Sequence, residues 1–486
     1  MDQEENIRTK LATYLKHAAE TFDLSPMSEP VFDSLCKNYV LDRRIYHTLG
    51  HCLEVSTHNP SAFETIADKK MARRLAALCT FAGLFHDVIY IGTDKLIPES
   101  LMTGFNRYGT FKVGYKYFVL HDALEEIPGH IAMIFGYSPT SSIELERGGN
   151  EFLSAIIAET ILSDMHMPLS HILQIVSIIE ATIPFRERNH FLMSHDRLVK
   201  VNKLLPSWAN QLTEEEITLT IQAACHLANV DVLSFAGGRI TTKTTLSGRF
   251  QRFIKDMWRL IPEADPSLLE CRYTPRYYRE TLLSNRNMLA RLEPDIIFHS
   301  YKNFPTIRDM DKYFAYSATN LKLGLLYLNL KLIGAMIIEA LDHCAAKQSG
   351  IENAYLPQLI DGIDLPKDTD MPDMIKTEEQ KIVFTILRDG IAEKENPFDS
   401  QPSPVSAYLY EHVGRSASLE LMTSAGGIMN EHYKPIAFLE ITARIIGKDH
   451  LRTIALALAN AARDNNIAEM HCNEIEKVPT RLVIRA

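Results

Sequence analysis

His47 and His51 stand four residues apart in RIYHTLGHCLEV, and about thirty residues later His86 and Asp87 close the apolar run LAALCTFAGLFHDVIY. On a helix, a four-residue spacing stacks two imidazoles on one face. Imidazoles and carboxylates that meet inside an apolar bundle are the ordinary ligands of a divalent metal. A hydrolytic metal needs several such ligands on rigid elements and one open position. His51, the adjacent His86 and Asp87, and the distant Asp231 in HLANVDVLSFAG supply that set from three predicted helices. His47, one turn before a ligand, is placed to protonate a leaving oxygen rather than to bind metal.

Each part of this pattern is weak alone. An HxxxH pair is often a satisfied core pair. HD dipeptides recur at His121 and Asp122 and at His195 and Asp196, but neither of these ends a long apolar helix. What singles out His86 and Asp87 is their flank, their distance from HxxxH, and Asp231 downstream.

The elements that must carry these residues read as helices almost throughout, so an all-α fold is expected. Apolar spacing of i, i+3, i+4 marks residues 4–22 and 31–39, then a motif helix from about 43 to 58 that Asn59 and Pro60 close, then 71–88. Further helices are predicted over 150–162, 171–181, 214–227 continuing to Asp231, 277–292 and 315–344. Residues 92–149 are rich in glycine and aromatics, and 111–120 fits strand or helix. The stretch is expected to be an insertion beside the site, either a lid or a packing excursion. Polar, proline-bearing tracts at 347–372 and 393–404 suggest boundaries. Residues 1–346 are therefore expected to form the catalytic domain and 347–404 a linker with a connecting helix. Residues 405–486 are expected to form a smaller helical domain.

Composition narrows the classes. The chain has 486 residues, 46% hydrophobic and 23% charged, with a net charge of −10. That charge argues against general nucleic-acid binding, which needs a basic face. Seven scattered cysteines without CxxC suggest free thiols in a reducing compartment. The polar N-terminus predicts no signal peptide and a cytoplasmic site, with secretion as an effector left open. Residues 321–341 are apolar, but Lys322, Asn329, Lys331 and Glu339 interrupt them, which favours a core helix over a membrane span.

The ordered motifs resemble the HD superfamily of metal-dependent phosphohydrolases, whose signature is H…HD…D on a helical bundle. The resemblance covers about residues 30–290. It looks closest to bacterial phosphohydrolases carrying RxYHxxxH, FHDxxY and NExxSA. Here these run from Arg44 through Tyr46 and His47 to His51, from Phe85 to Tyr90, and from Asn150 and Glu151 to Ala155. The first is also similar to the YHNxxHAxxV of cyclic-nucleotide phosphodiesterases, which makes His47 a general acid and His51 a ligand by match. The resemblance implies hydrolysis of a phosphate ester, by default a nucleotide. Hydroxide on a metal held by His51, His86, Asp87 and Asp231 would be the nucleophile, with Glu151 orienting water or a ligand histidine. It implies one divalent ion (Fe, Mn, Zn, Ni or Mg), with a second left open. Two departures stand out: the insertion is about sixty residues long, and a Thr-x-x-His of the relatives is here Thr182-Ile-Pro-Phe-Arg186. Arg44, Arg186 and also Arg239 or Lys243 are candidates for a substrate phosphate, and Tyr46 and Tyr90 for the pocket wall.

A looser resemblance is to the SidE-type phosphodiesterases of Legionella, which process modified ubiquitin without a metal. Their His, Glu and His would fall on His47, Glu151 and His226, implying a modified protein as partner and an effector-like origin. A third reading is a degenerate HD bundle kept as an interaction scaffold.

Overall fold

The structure, a computed structural model, describes residues 2–484 except 41–43, 59–61, 91–103, 113–115, 188, 239–244, 351–354, 361, 367–374, 392–397, 399–401, 415, 418–419, 424–433 and 468. The fold is all-α with one small sheet. The chain divides into two compact units, Met1–Arg239 with Glu293–Ala318, and Ile240–Leu292 with Thr319–Ala486. These units do not follow the expected division at residue 346. Residues 240–292 and 319–346 cluster with the C-terminal helices, and the buried Arg279–Glu339 and Asp342–His471 pairs are part of what ties them there.

In the first unit α1 (Asp2–Thr21) and α2 (Glu29–Tyr39) precede α3 (Leu49–Thr57) and α4 (Lys69–Phe85). The expected motif helix starts later than its spacing suggested. Thr48 is the N-cap, its hydroxyl accepting from the His51 amide at 3.4 Å. Residues 44–48 are thus non-helical, and His47 and His51 do not share a helix face. Asp68 caps α4 by accepting from the amides of Lys70 and Met71. Those two bonds hold its carboxyl below the usual range. Where α3 crosses α4, a Cβ on Gly83 would lie 2.8–2.9 Å from Ser56, so glycine is required for the close approach.

Residues 104–149 form a small lobe. Strands β1 (Gly109–Lys112) and β2 (Tyr117–Leu120) make an antiparallel hairpin with Gly109 opposite Leu120, and β3 (Ser142–Glu144) pairs with the far side of β2. The ambiguous 111–120 stretch is therefore strand where it is described. Helix α5 (Glu126–Ile134) completes the lobe. Its rings seat on Phe152 of α6 (Asn150–Asp164), with Phe135 at 5.1 Å and Tyr108 at 6.2 Å. Arg107 and Tyr108 also bond the buried carboxylate of Glu159 on α6. This part of the insertion is a lobe whose buried residues join the core of the surrounding helices, while residues 92–103 lie outside the described residues.

Helix α7 (Leu169–Ala181) is buried along nearly its whole length, because both α6 and α9 (Glu214–Asp231) pack on it. Helix α8 (His190–Leu204) lies between them in sequence. Thr213 and Glu216 form a capping box at the start of α9, fixing the helix that ends in Asp231.

The second unit begins with α10 (Leu246–Ala264) and α11 (Pro275–Leu289). The four-residue α12 (Pro294–Ile297) belongs to the first unit, and α13 (Ile307–Ser349) contributes residues to both. The C-terminal helices are α14 (Leu356–Ile360), α15 (Glu378–Asp389), α16 (Pro404–His412), α17 (Pro435–Ile446), α18 (Lys448–Asp464) and α19 (Glu469–Ile484). Helix α13 is long and apolar enough to cross a membrane by length and composition, yet 78% of its most apolar window is buried. It also carries buried Lys331, Glu339 and Asp342, which suit a packed core helix.

Candidate metal centre

The turn that ends α4 is pinned from several sides. The Tyr39 hydroxyl donates to the Leu84 carbonyl, and the Ile89 amide donates to Ser154 Oγ on α6 at 3.1 Å. The Arg44 guanidinium donates to the carbonyls of Asp87 at 2.7 Å and Val88 at 3.1 Å. Arg44 is thus spent on the backbone of the turn, and its ring neighbour is Tyr39. The role expected for it at a substrate phosphate has no support in this geometry. Its fork instead holds the segment carrying His86 and Asp87 in place.

Four side chains converge there. His51 Nε2 lies 3.0 Å from Asp231 Oδ1 and 3.8 Å from Asp87 Oδ2. His86 Nε2 lies 2.8 Å from Asp87 Oδ2 and 3.4 Å from Asp231 Oδ1. One ligand atom from each of the four falls within 4.8 Å of the others. Ligand atoms bound at about 2.1 Å to one ion lie roughly 3 to 4 Å apart, and the four pairs above span 2.8–3.8 Å.

The hydrogen bonding of His86 tests the fit. Its Nδ1 sits 2.9 Å from the Gly83 carbonyl, which can only accept, so Nδ1 carries a proton. Nε2 then faces Asp87 Oδ2 at 2.8 Å, yet both atoms are buried and neither makes a hydrogen bond of acceptable angle among the described residues. In the neutral ring two lone pairs confront each other. In the imidazolium a proton has no acceptor in line. A cation bound by both atoms removes the conflict, and an Nδ1–H bond to a carbonyl is the usual support of a ligating histidine. The donor set of two imidazoles and two carboxylates therefore fits one divalent ion.

Without an ion the cluster polarises itself. Burial alone would lower the basicity of His86, but the negative charges of Asp87 and Asp231 outweigh it and hold the ring well above its ordinary value. Burial likewise opposes the ionised form of Asp87 and Asp231, and the surrounding histidines hold both below the usual carboxylate range.

His47 borders this group. Its Nε2 is 3.8 Å from Asp87 Oδ2, and its ring stacks on Tyr90 and meets His51 edge-on at 5.8 Å. Tyr46 packs on both histidines, at 4.9 Å from His47 and 4.7 Å from His51, with its hydroxyl 3.5 Å from the Asp231 carbonyl. Glu151, in the first turn of α6, is part-buried within the field of Asp87 and Asp231. Burial, then those two charges, push its carboxyl up to about 7.

His226 is placed elsewhere. It precedes Asp231 by five residues on α9, which turns it about 140° away from Asp231 around the helix. Its ring packs against Phe63 at 5.5 Å and Phe304 at 6.3 Å, and burial lowers its basicity to about 4. Its described contacts do not join it to His47 and Glu151. Arg186 joins a buried network around Glu180, and Arg239 and Lys243 lie outside the described residues. The other HD dipeptides are separate as well: His195 pairs with Glu214, and His121 with the Asn106 carbonyl.

Sequence reasoning missed Glu180, His190 and Arg197. The lone carboxylate in HILQIVSIIEA was the available signal, since a buried Glu among Ile and Val must find partners. No family model, curated protein or solved structure matches the chain.

Proposed function

We propose that the first unit hydrolyses a phosphate ester with a divalent ion held by His51, His86, Asp87 and Asp231. The observation that carries this reading is the buried, unbonded confrontation of His86 Nε2 and Asp87 Oδ2, completed by His51 and Asp231. When bound, such an ion supplies an activated water and offsets charge on the phosphoryl oxygens. The protein's own residues do the rest. Gly83 fixes the His86 tautomer through its carbonyl, and Arg44 and Tyr39 hold the turn. His47, beside the cluster but outside the ligand set, gives a proton to the leaving oxygen. Tyr90 and Tyr46 fix its ring. Glu151 keeps a proton near neutral pH and orients water next to the carboxylates. A nucleotide is the substrate that the HD resemblance suggests.

The test is elemental analysis of protein purified without added metal, beside Asp87→Ala. About one equivalent of a divalent metal in the wild type, absent from the variant, is expected. No metal in either after reconstitution would overturn the reading.

A further inference from the structure

The charge of Arg186 acts on the carboxyl of Glu151, which borders the proposed metal centre. Gly148, two residues before Asn150, has φ +80°, and a Cβ there would come 2.8 Å from Ile183. The 182–186 turn therefore rests against the start of α6, where Glu151 stands. The same turn, with Arg186 and His190, lines a small cavity whose far wall includes Val232, the residue after Asp231. Both contacts bring the turn that carries Arg186 to chain neighbours of Glu151 and Asp231, in keeping with the action of its charge on the Glu151 carboxyl.

Behind Arg186 is Glu180, fully buried at the end of α7. Its carboxylate accepts from Ser194 Oγ at 2.9 Å, and lies 3.2 Å from Arg186 Nη1, 3.3 Å from Arg197 Nη1 and 3.3 Å from His190 Nε2. Burial disfavours its charge, but His190 and the two guanidiniums outweigh that and hold it below the usual range. One carboxylate thus serves two guanidiniums and leaves a positive charge over. Arg186 engages Glu180 and His190 through Nη1 alone. Its Nε and Nη2 make no hydrogen bond among the described residues, and the side chain is 25% exposed. A guanidinium anchored at one edge and open at the other is suited to a phosphate. Arg44 has no such freedom, since its fork is spent on two carbonyls.

We propose that Arg186, oriented by Glu180 as a positioning residue, binds a second phosphoryl group of the substrate, distinct from the one hydrolysed. This choice of ligand rests on the phosphate-ester reading above; the anion subsite itself does not depend on the metal.

The test uses the full-length protein in two states. In chelator-treated protein, inorganic phosphate is titrated by calorimetry against the wild type, Arg186→Gln and Arg186→Lys. Arg186→Gln is expected to weaken binding about tenfold or more, and Arg186→Lys, which keeps the charge, by less. Glu180→Gln is expected to weaken it in the wild type and to add nothing on top of Arg186→Gln, a non-additivity that a purely structural role would not give. In Mn²⁺-loaded protein, fructose 1,6-bisphosphate should bind about tenfold tighter than fructose 6-phosphate, an advantage that Arg186→Gln removes. No phosphate binding by the wild type, or equal binding by Arg186→Gln, overturns the subsite. Equal affinities for the two sugar phosphates overturn the second phosphoryl group. Phosphate binding that needs Arg186 in a protein that takes up no metal keeps the subsite and sinks the hydrolase reading alone.

Discussion

The His47 ring lies over the Tyr90 ring, centroids 4.2 Å apart and planes 27° from parallel, with His47 Nε2 3.8 Å from Asp87 Oδ2. The stack keeps an imidazole at the edge of the ligand cluster without adding it to the cluster, as a proton donor to a leaving group requires. Its contribution must then depend on how much the leaving group needs a proton. His47→Gln is expected to slow hydrolysis of alkyl phosphate esters by about a hundredfold or more. Nitrophenyl esters, whose anion departs readily unprotonated, should be far less affected, and metal content should be unchanged. Equal losses on both ester types would remove His47 from the acid role.

Gly83 sets the spacing of the centre, because its missing side chain lets α4 approach Ser56 on α3 while its carbonyl orients His86. Gly83→Ala should cost about 1–3 kcal/mol in urea unfolding. It should also weaken metal uptake, by shifting His51 away from His86. Wild-type stability together with wild-type metal content would show that the crossing has slack.

Much of this centre was legible in the sequence, and the reason is local. His86 and Asp87 end an apolar helix, and Asp231 ends another, so the pattern itself announced buried polar groups. The face shared by His47 and His51 was misjudged because HxxxH spacing says nothing about where a helix begins. Thr48, a cap residue between the two histidines, was the signal that outranked it. The 111–120 strands stayed ambiguous because glycine and aromatics satisfy no single period. The capping of the 86–88 turn by Arg44 was invisible because charge alone does not say whether a guanidinium faces solvent or carbonyls. Helix α10 was passed over although Phe250, Phe253, Ile254, Met257 and Trp258 hold its period; the helix of His190 and Arg197 carries a weaker stripe.

Glu151 gives the centre a pH signature. Its carboxyl ionises near the ordinary 4.5 in the unfolded chain and at about 7 in the folded one. Between those values the folded state keeps a proton that the unfolded state has released. Its contribution is therefore fully present below pH 4.5 and is lost as pH rises through 7, by on the order of 2–3 kcal/mol. In chelator-treated protein, Glu151→Gln should accordingly gain stability relative to the wild type as pH goes from 5 to 8. Adding a divalent ion should shrink that difference, since a cation favours the ionised carboxyl. A difference that does not change with pH would show that neither burial nor the charges of Asp87 and Asp231 raise the Glu151 carboxyl.

The second unit permits a test of what holds its long helix. Arg279 Nε lies 2.5 Å from Glu339 Oε2, with both side chains buried. Burial pushes the Glu339 carboxyl up, against the pull of the guanidinium. Desolvating two charges offsets much of their attraction, so the pair itself adds little net stability, whereas leaving one member alone in the core is expensive. Arg279→Met, which takes the guanidinium away from the buried Glu339 carboxyl, should therefore destabilise the protein by about 3–5 kcal/mol. Replacing both, with Arg279→Met and Glu339→Leu, should recover most of that loss in the same chemical denaturation experiment. If the double variant is as unstable as the single one, the pair is needed to set how α11 and α13 pack, and its charges cannot be exchanged for apolar volume.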